Sequence, residues 1–176
     1  MVKIHSRSCS EIRTGYLITV SAFLKILEGL TLKEKNLIAA LSNLVQLDID
    51  AVHAYDQVLK EIDDPIIKDR LLKFQDEHRK HIGGLSKHIE DLGGHPPKPS
   101  QDFKGYVIEA FAAIRSFTGL KGALKAMKIT EDISNRYYGE VVSWEAPSEV
   151  KEVLRTYFSE EKIHLDYITS NLQAMS

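Results

Sequence analysis

Glu161 and His164 stand three residues apart in the stretch SEEKIHLDYI, residues 159–168. On a helix, that spacing places the carboxylate and the imidazole on one face, shared with Leu154, Tyr157 and Ile168. An acid and a base aimed at an apolar face are costly, because an unpaired ion in a protein interior loses several kcal/mol of hydration. Two chemistries repay that loss. The groups can pair and exchange protons among themselves, or they can ligate a cation that turns both into neutral-site donors. Glu-x-x-His alone is frequent by chance, so the elements that position it decide between them.

Helix signals dominate from residue 31 onward. Thr31 and Glu34 form a T-x-x-E capping box, which predicts a first long helix from there to about Asp63. Asp64-Pro65 predicts the cap and first turn of a second helix, ended near Leu92 by Gly93-Gly94 and Pro96-Pro97. After HPPKPSQ, the amphipathic stretch DFKGYVIEAFAAIRSF predicts a short helix. Thr118 is the expected cap of a third long helix reaching about Trp144, and Ser148 that of a fourth ending near Gln173. The first and last connections are short, so each joins an antiparallel pair. The middle connection is long enough to carry the chain the length of a bundle, which makes the second and third helices parallel.

Each helix shows a stripe with alternating steps of four and three. The first reads Leu37, Leu41, Leu44, Asp48, Ala51, Tyr55, Val58, Ile62. The second reads Ile67, Leu71, Phe74, His78, His81, Leu85, His88, Leu92. The third reads Leu120, Leu124, Met127, Glu131, Ser134, Tyr138, Val141, and the fourth Val150, Leu154, Tyr157, Glu161, His164, Ile168, Asn171. All four are apolar at their ends and ionisable in the middle. One constant offset in numbering carries Asp48 to Glu131, Tyr55 to Tyr138, His78 to Glu161 and His81 to His164. The pattern is that of a helical hairpin used twice about a pseudo-two-fold axis, with six ionisable groups meeting at mid-height. Left uncompensated, such a layer could erase a typical folding stability of ~5–15 kcal/mol. Di-iron and di-manganese bundles supply one Glu from each of two helices and Glu-x-x-His from each of the other two.

On EEKIHLDYI, on the acid-plus-seven-tyrosine spacing of Asp48/Tyr55 and Glu131/Tyr138, and on LGGHPP at the end of the second helix, the chain resembles the ferritin-like superfamily. Bacterioferritin- and rubrerythrin-like bundles and the small bacterial ferritin-like domain proteins are the nearest likeness, over about residues 32–174. The resemblance implies an all-α, ferritin-like four-helix bundle over residues 31–176, preceded by an N-terminal extension, residues 1–30. It implies that Asp48 and Glu131 are terminal carboxylate ligands, that Glu161 bridges two metals, and that His81 and His164 each bind one. Tyr55 and Tyr138 would orient ligands by hydrogen bonds. His78 stands where the family has its second bridging carboxylate, and Asp48 is one methylene shorter than Glu. The first departure favours a weaker second metal or a single one, and the second leaves a metal off-centre or holding a water. Glu77 is an alternative ligand only if the helix is distorted, because it points about 100° away from His78.

The cofactor expected from this donor set is iron or manganese, one or two ions, and the same donors also accommodate zinc. The implied activity is that of an oxidoreductase, a ferroxidase or peroxide scavenger. The alternative is a metal-free bundle, its polar layer closed by hydrogen bonds, acting in stress or self-association. His88, with Asn171 as its counterpart, reads as a capped core pair; His53, His95, Asp50 and Asp76 lie off the stripes and read as solvated.

A net charge of -2 and the lack of any long Lys/Arg run give no nucleic-acid signal. With 176 residues, 43% hydrophobic and 27% charged, the chain fits one globular domain. The single cysteine, Cys9, suits a reducing cytoplasm. Gly15–Leu30 is the one candidate for export or membrane insertion, but it is short and carries Lys25 and Glu28, so it reads as an amphipathic leader and no membrane span is expected. A homo-oligomer is expected, through that leader or another face.

Overall fold

A computed structural model describes the backbone of residues 9–98 and 119–175, and the side chains of residues 32–98 and 119–175. The short helix expected at residues 102–117 and the cap expected at Thr118 lie outside these. Four long helices follow in order: α1 (Cys9–Val58), α2 (Pro65–Asp91), α3 (Gly119–Val141) and α4 (Ser148–Ala174). A single 3₁₀ turn, Leu59–Glu61, follows α1. Among the described residues there is no strand. The chain divides into two compact units, Met1–Leu37 and Ile38–Ser176. The polar layer lies wholly in the second.

The direction of each helix pair can be read from side-chain contacts. Tyr55 meets Glu131 while Asp48 meets Tyr138, so numbering rises on α1 as it falls on α3. Glu77 meets His164 and His81 meets Glu160, so α2 and α4 are likewise antiparallel. Asn135 meets the carbonyl of Glu161 and Lys121 that of Met175, which makes α3 and α4 a hairpin. With α1 and α2 joined by their short turn, α2 and α3 must run parallel. This is the connectivity expected from the long middle segment.

Capping explains where α2 begins and ends. The Asp64 carboxylate accepts from the backbone N–H of Ile66 at 2.9 Å and of Ile67 at 3.1 Å, and Pro65 fills the first helical position. At the other end Gly93 adopts φ 79°, open to glycine at little cost, and the Gly94 N–H returns to the Ile89 carbonyl at 2.8 Å.

Two expected helix starts are corrected. The first helix does not begin at Thr31; the backbone is helical from Cys9. A capping box adds only about 1 kcal/mol, and without a proline upstream nothing forces a helix to start there. Ser148 is not a cap either. It is the first residue of α4, and the cap position belongs to Pro147, which makes no side-chain hydrogen bond.

The stripes are buried largely as expected. On α1 and the turn after it, every stripe residue from Leu37 to Ile62 is buried. Around the first connection Tyr55, Val58, Ile62, Ile67, Leu71, Phe74, Leu124, Met127 and Ile168 pack into one apolar cluster. Each such aliphatic side chain contributes about 1.5–3 kcal/mol on burial. Leu41, Leu44, Leu85, Ile89, Val141, Val150 and Leu154 are buried on the far side of the polar layer. On α2 the expected stripe fails at its end. His88 is only half-buried and Ile89 is fully buried, because a straight helix drifts relative to a seven-residue repeat and a step of four replaces a step of three. Asn171 does not cap His88; it donates to the Tyr167 carbonyl.

By length and composition Leu32–Glu61 could cross a membrane, so Gly15–Leu30 is not the one apolar candidate. Most of that segment is buried within the protein, as expected of a bundle's core helix. Asp50 is also buried, contrary to the solvated position expected for it. The middle of α1 is covered on more than its stripe, since Leu47, Ile49 and Ala54 are buried as well.

Candidate metal centre

The six ionisable residues of the four stripes meet in one layer. Asp48, His78, His81, Glu131, Glu161 and His164 are all fully buried. His78 is central: its Nδ1 lies 2.9 Å from Oδ1 of Asp48 and 3.3 Å from Oε1 of Glu161, and its Nε2 lies 3.4 Å from Oε1 of Glu131. Nδ1 of His81 lies 3.2 Å from Oε1 of Glu161, and Nδ1 of His164 lies 3.6 Å from Oε2 of Glu131. Potential ligand atoms fall into two overlapping groups, each within 4.8 Å: Asp48, His78, His81 and Glu161, and His78, Glu131, Glu161 and His164. His78 and Glu161 are common to both.

Each of the two tyrosines bonds a carboxylate of the layer, and does so across hairpins. Tyr55 donates to Oε1 of Glu131 at 2.6 Å, and Tyr138 donates to Oδ2 of Asp48 at 2.7 Å. Burial and the neighbouring carboxylates push both phenols well above their usual range, so they stay protonated and stay donors.

Two further residues belong to the site. His81 Nε2 bonds to Oε2 of Glu160 at 2.8 Å, and His164 Nε2 bonds to Oε2 of Glu77 at 2.7 Å. With those nitrogens carrying the protons, each Nδ1 presents a lone pair to the layer, the arrangement by which an outer carboxylate fixes a metal-binding imidazole. Glu77, named above as an alternative ligand, bonds the far nitrogen of His164 and is in neither group of donor atoms. The rings are also held from the side, His81 by Tyr157 with centroids 4.0 Å apart and His164 by Phe74 at 4.2 Å. Glu160 could have been found from the sequence, since the same offset that relates the halves carries Glu77 to Glu160.

The electrostatics show what the layer lacks. Burial alone would push the Glu131 carboxyl up, yet His78 and His164 beside it hold it well below the usual carboxylate range. Burial likewise works against a charged His78, and Glu161, Glu131 and Asp48 overcome it, raising the imidazole well above its ordinary value. His81 is raised to about 9 by Asp48 and Glu161 against its own burial. Burial, with Glu131 and Asp48 nearby, raises the Glu161 carboxyl. Positive charge is in demand. Several polar atoms also lack any hydrogen-bond partner: His81 Nδ1, His164 Nδ1, Glu131 Oε2 and both carboxylate oxygens of Glu161. Buried polar atoms are rarely left so. These are two imidazole nitrogens and three carboxylate oxygens directed into one layer, a donor set that fits a divalent transition metal whose charge would take the place of the imidazole protons.

Two antiparallel hairpins with parallel middle helices are the ferritin-like four-helix fold. The structure is similar to that of ferritin like, diiron-carboxylate proteins from Bacillus anthracis str. Ames, with a TM-score of 0.63, 16% identity, and 80% of this chain and 97% of that one covered. At that identity the likeness is one of fold. The chain belongs to the family described as Domain of unknown function (DUF2383), whose pattern matches residues 36–143. That match takes in Asp48, His78, His81 and Glu131 and stops before α4. No curated protein matches the chain.

Proposed function

We propose that this protein is a metal-binding ferritin-like protein whose centre is built from Asp48, His78, His81, Glu131, Glu161 and His164, takes iron or manganese, and serves oxidation-reduction with dioxygen or peroxide. The observation that carries this is the set of partnerless donor atoms in the buried layer, with His81 and His164 turned toward it by Glu160 and Glu77. Carboxylates with neutral imidazoles suit iron and manganese. When bound, such an ion supplies one-electron chemistry.

The chain's own residues do the rest. The two histidine–carboxylate pairs hold the imidazoles in one tautomer and one orientation. Tyr55 and Tyr138 each occupy one oxygen of a terminal carboxylate. The apolar clusters on both sides exclude water and strengthen every charge interaction within the layer. The diiron-carboxylate name of the structural neighbour agrees with this reading.

A second reading is a metal-free bundle that kept the fold. The 2.9 Å contact between His78 and Asp48 favours it, since an imidazolium there would neutralise part of the layer without any ion. Elemental analysis of protein from metal-replete cells separates the two. Iron or manganese that co-purifies and is lost in His164→Ala supports the metal centre. Protein free of transition metal, with thermal stability unmoved by added iron or manganese, supports the second reading.

A further inference from the structure

The two halves of the layer are not equivalent, and the difference bears on how many ions it holds. Both oxygens of Asp48 are engaged, Oδ1 by His78 Nδ1 at 2.9 Å and Oδ2 by Tyr138 at 2.7 Å. Glu131 is its counterpart in the other half. Tyr55 occupies its Oε1, and its Oε2 has no hydrogen-bond partner. Of the two counterparts, Glu131 thus has an unspent oxygen and Asp48 has none.

His78 adds direction to this difference. Its closest polar neighbour is Asp48, and a proton on Nδ1 makes that contact a donor–acceptor bond. The lone pair then falls on Nε2, which faces Glu131 at 3.4 Å. Nitrogens on opposite sides of one ring cannot stand in for the two oxygens of a bridging carboxylate, which span two ions about 3.5–4 Å apart. His78 therefore serves one ion, on the side its lone pair faces.

On the reading of a metal centre given above, we infer that the site holds a single divalent cation, liganded by His78, Glu131, Glu161 and His164, with Asp48 outside the coordination sphere as the positioning residue of His78. Two carboxylates and two neutral imidazoles balance a dication in a buried site. Asp48–His78 then repeats what Glu77–His164 does: a carboxylate fixes the tautomer and aim of a liganding ring. His81 is left outside the coordination sphere, bonded through Nε2 to Glu160.

Manganese(II) titration of metal-stripped full-length protein tests this, read by equilibrium dialysis and by electron paramagnetic resonance. One equivalent, giving the isolated hyperfine sextet of an uncoupled ion, is expected for the wild type. Asp48→Asn, which keeps an acceptor for the His78 N–H, retains one equivalent, weakened about 10-fold. Glu131→Gln retains none at the same concentration. His78→Glu, which supplies the missing bridging carboxylate, takes two equivalents with a spin-coupled spectrum. Two coupled ions in the wild type overturn the single-ion assignment and leave the metal centre standing, and the wild-type spectrum decides this even where a variant fails to fold. Loss of metal in Asp48→Asn with retention in Glu131→Gln also overturns it, as does a His78→Glu variant that folds and still takes one ion. No binding by the wild type sinks both this assignment and the metal centre itself.

Discussion

The Tyr55 hydroxyl, on α1, donates to Oε1 of Glu131, on α3, at 2.6 Å. Its counterpart runs the other way, from Tyr138 on α3 to Asp48 on α1 at 2.7 Å. Each acid is thus held by a tyrosine from the opposite hairpin. The outer pairs repeat the exchange, Glu77 on α2 holding His164 on α4, and Glu160 on α4 holding His81 on α2.

Removing one of these hydroxyls leaves a buried carboxylate short of a donor. A hydrogen bond to a charged group contributes about 1.5–3 kcal/mol. Tyr55→Phe and Tyr138→Phe are each expected to lower the stability of the metal-free protein by about that much, measured as the shift in urea midpoint. A loss under ~0.5 kcal/mol in both would mean that the bonds do not hold the layer together.

Glu77 and Glu160 offer a cleaner test of ligand orientation, because their side chains are about one-third exposed and can be shortened without opening a core cavity. Glu77→Ala and Glu160→Ala are expected to leave the fold intact. In a competition with a chelator, Glu77→Ala should weaken metal binding about 10–100-fold. Unchanged affinity in Glu77→Ala would remove its role in aiming His164.

Metal should stabilise the folded chain, since the ligands come from α2, α3 and α4 and meet only when the bundle is formed. At a free ion concentration 100 times the dissociation constant, the expected gain is about 2.7 kcal/mol. Thermal unfolding with and without manganese(II), then with excess chelator, reads this directly. The gain should appear, and vanish on chelation.

Asp50 gives a pH signature of its own. Its side chain is covered but lies shallow, one oxygen accepts from Gln46 at 3.0 Å, and the other has no hydrogen-bond partner. Burial raises its carboxyl above the ordinary value, against the pull of Gln46 and His53. A raised folded-state pKa means that the group's contribution to stability is full in acid, below its unfolded value, and is lost as pH rises through the folded one. Asp50→Asn removes that dependence. The variant is expected to be more stable than wild type at pH 7.5, with the gap narrowing at pH 4.5, by urea denaturation at both. A gap of opposite sign at neutral pH would show that the charge of Asp50 is used.

The parts of this architecture legible in the sequence were those written as periodicity. The stripes, their polar middles and the offset between halves placed all six layer residues, because a residue on the core face has one direction to point. The misreadings have separate physical origins. Glu77 and Glu160 each precede a layer residue and so point about 100° away; their role depends on α2 and α4 lying side by side, which a one-helix pattern does not contain. Asp50 lies off its stripe and is buried because the middle of α1 is covered on more than its core face. Thr31 and Ser148 carry cap chemistry that local sequence permits and the backbone does not use. The switch from His88 to Ile89 is accumulated helical drift, small per turn and decisive after several.

His78 and Glu161 occupy equivalent places in the two hairpins, yet one is a base and the other an acid. Two separate, identical hairpins associating as a pair would present the same residue at both places, two imidazoles or two carboxylates. One of each requires hairpins of different sequence, which this chain supplies by carrying both. The layer keeps the plan of a symmetric pair, and its departures at His78/Glu161 and Asp48/Glu131 give the interior two unlike sides that no assembly of equal halves could possess.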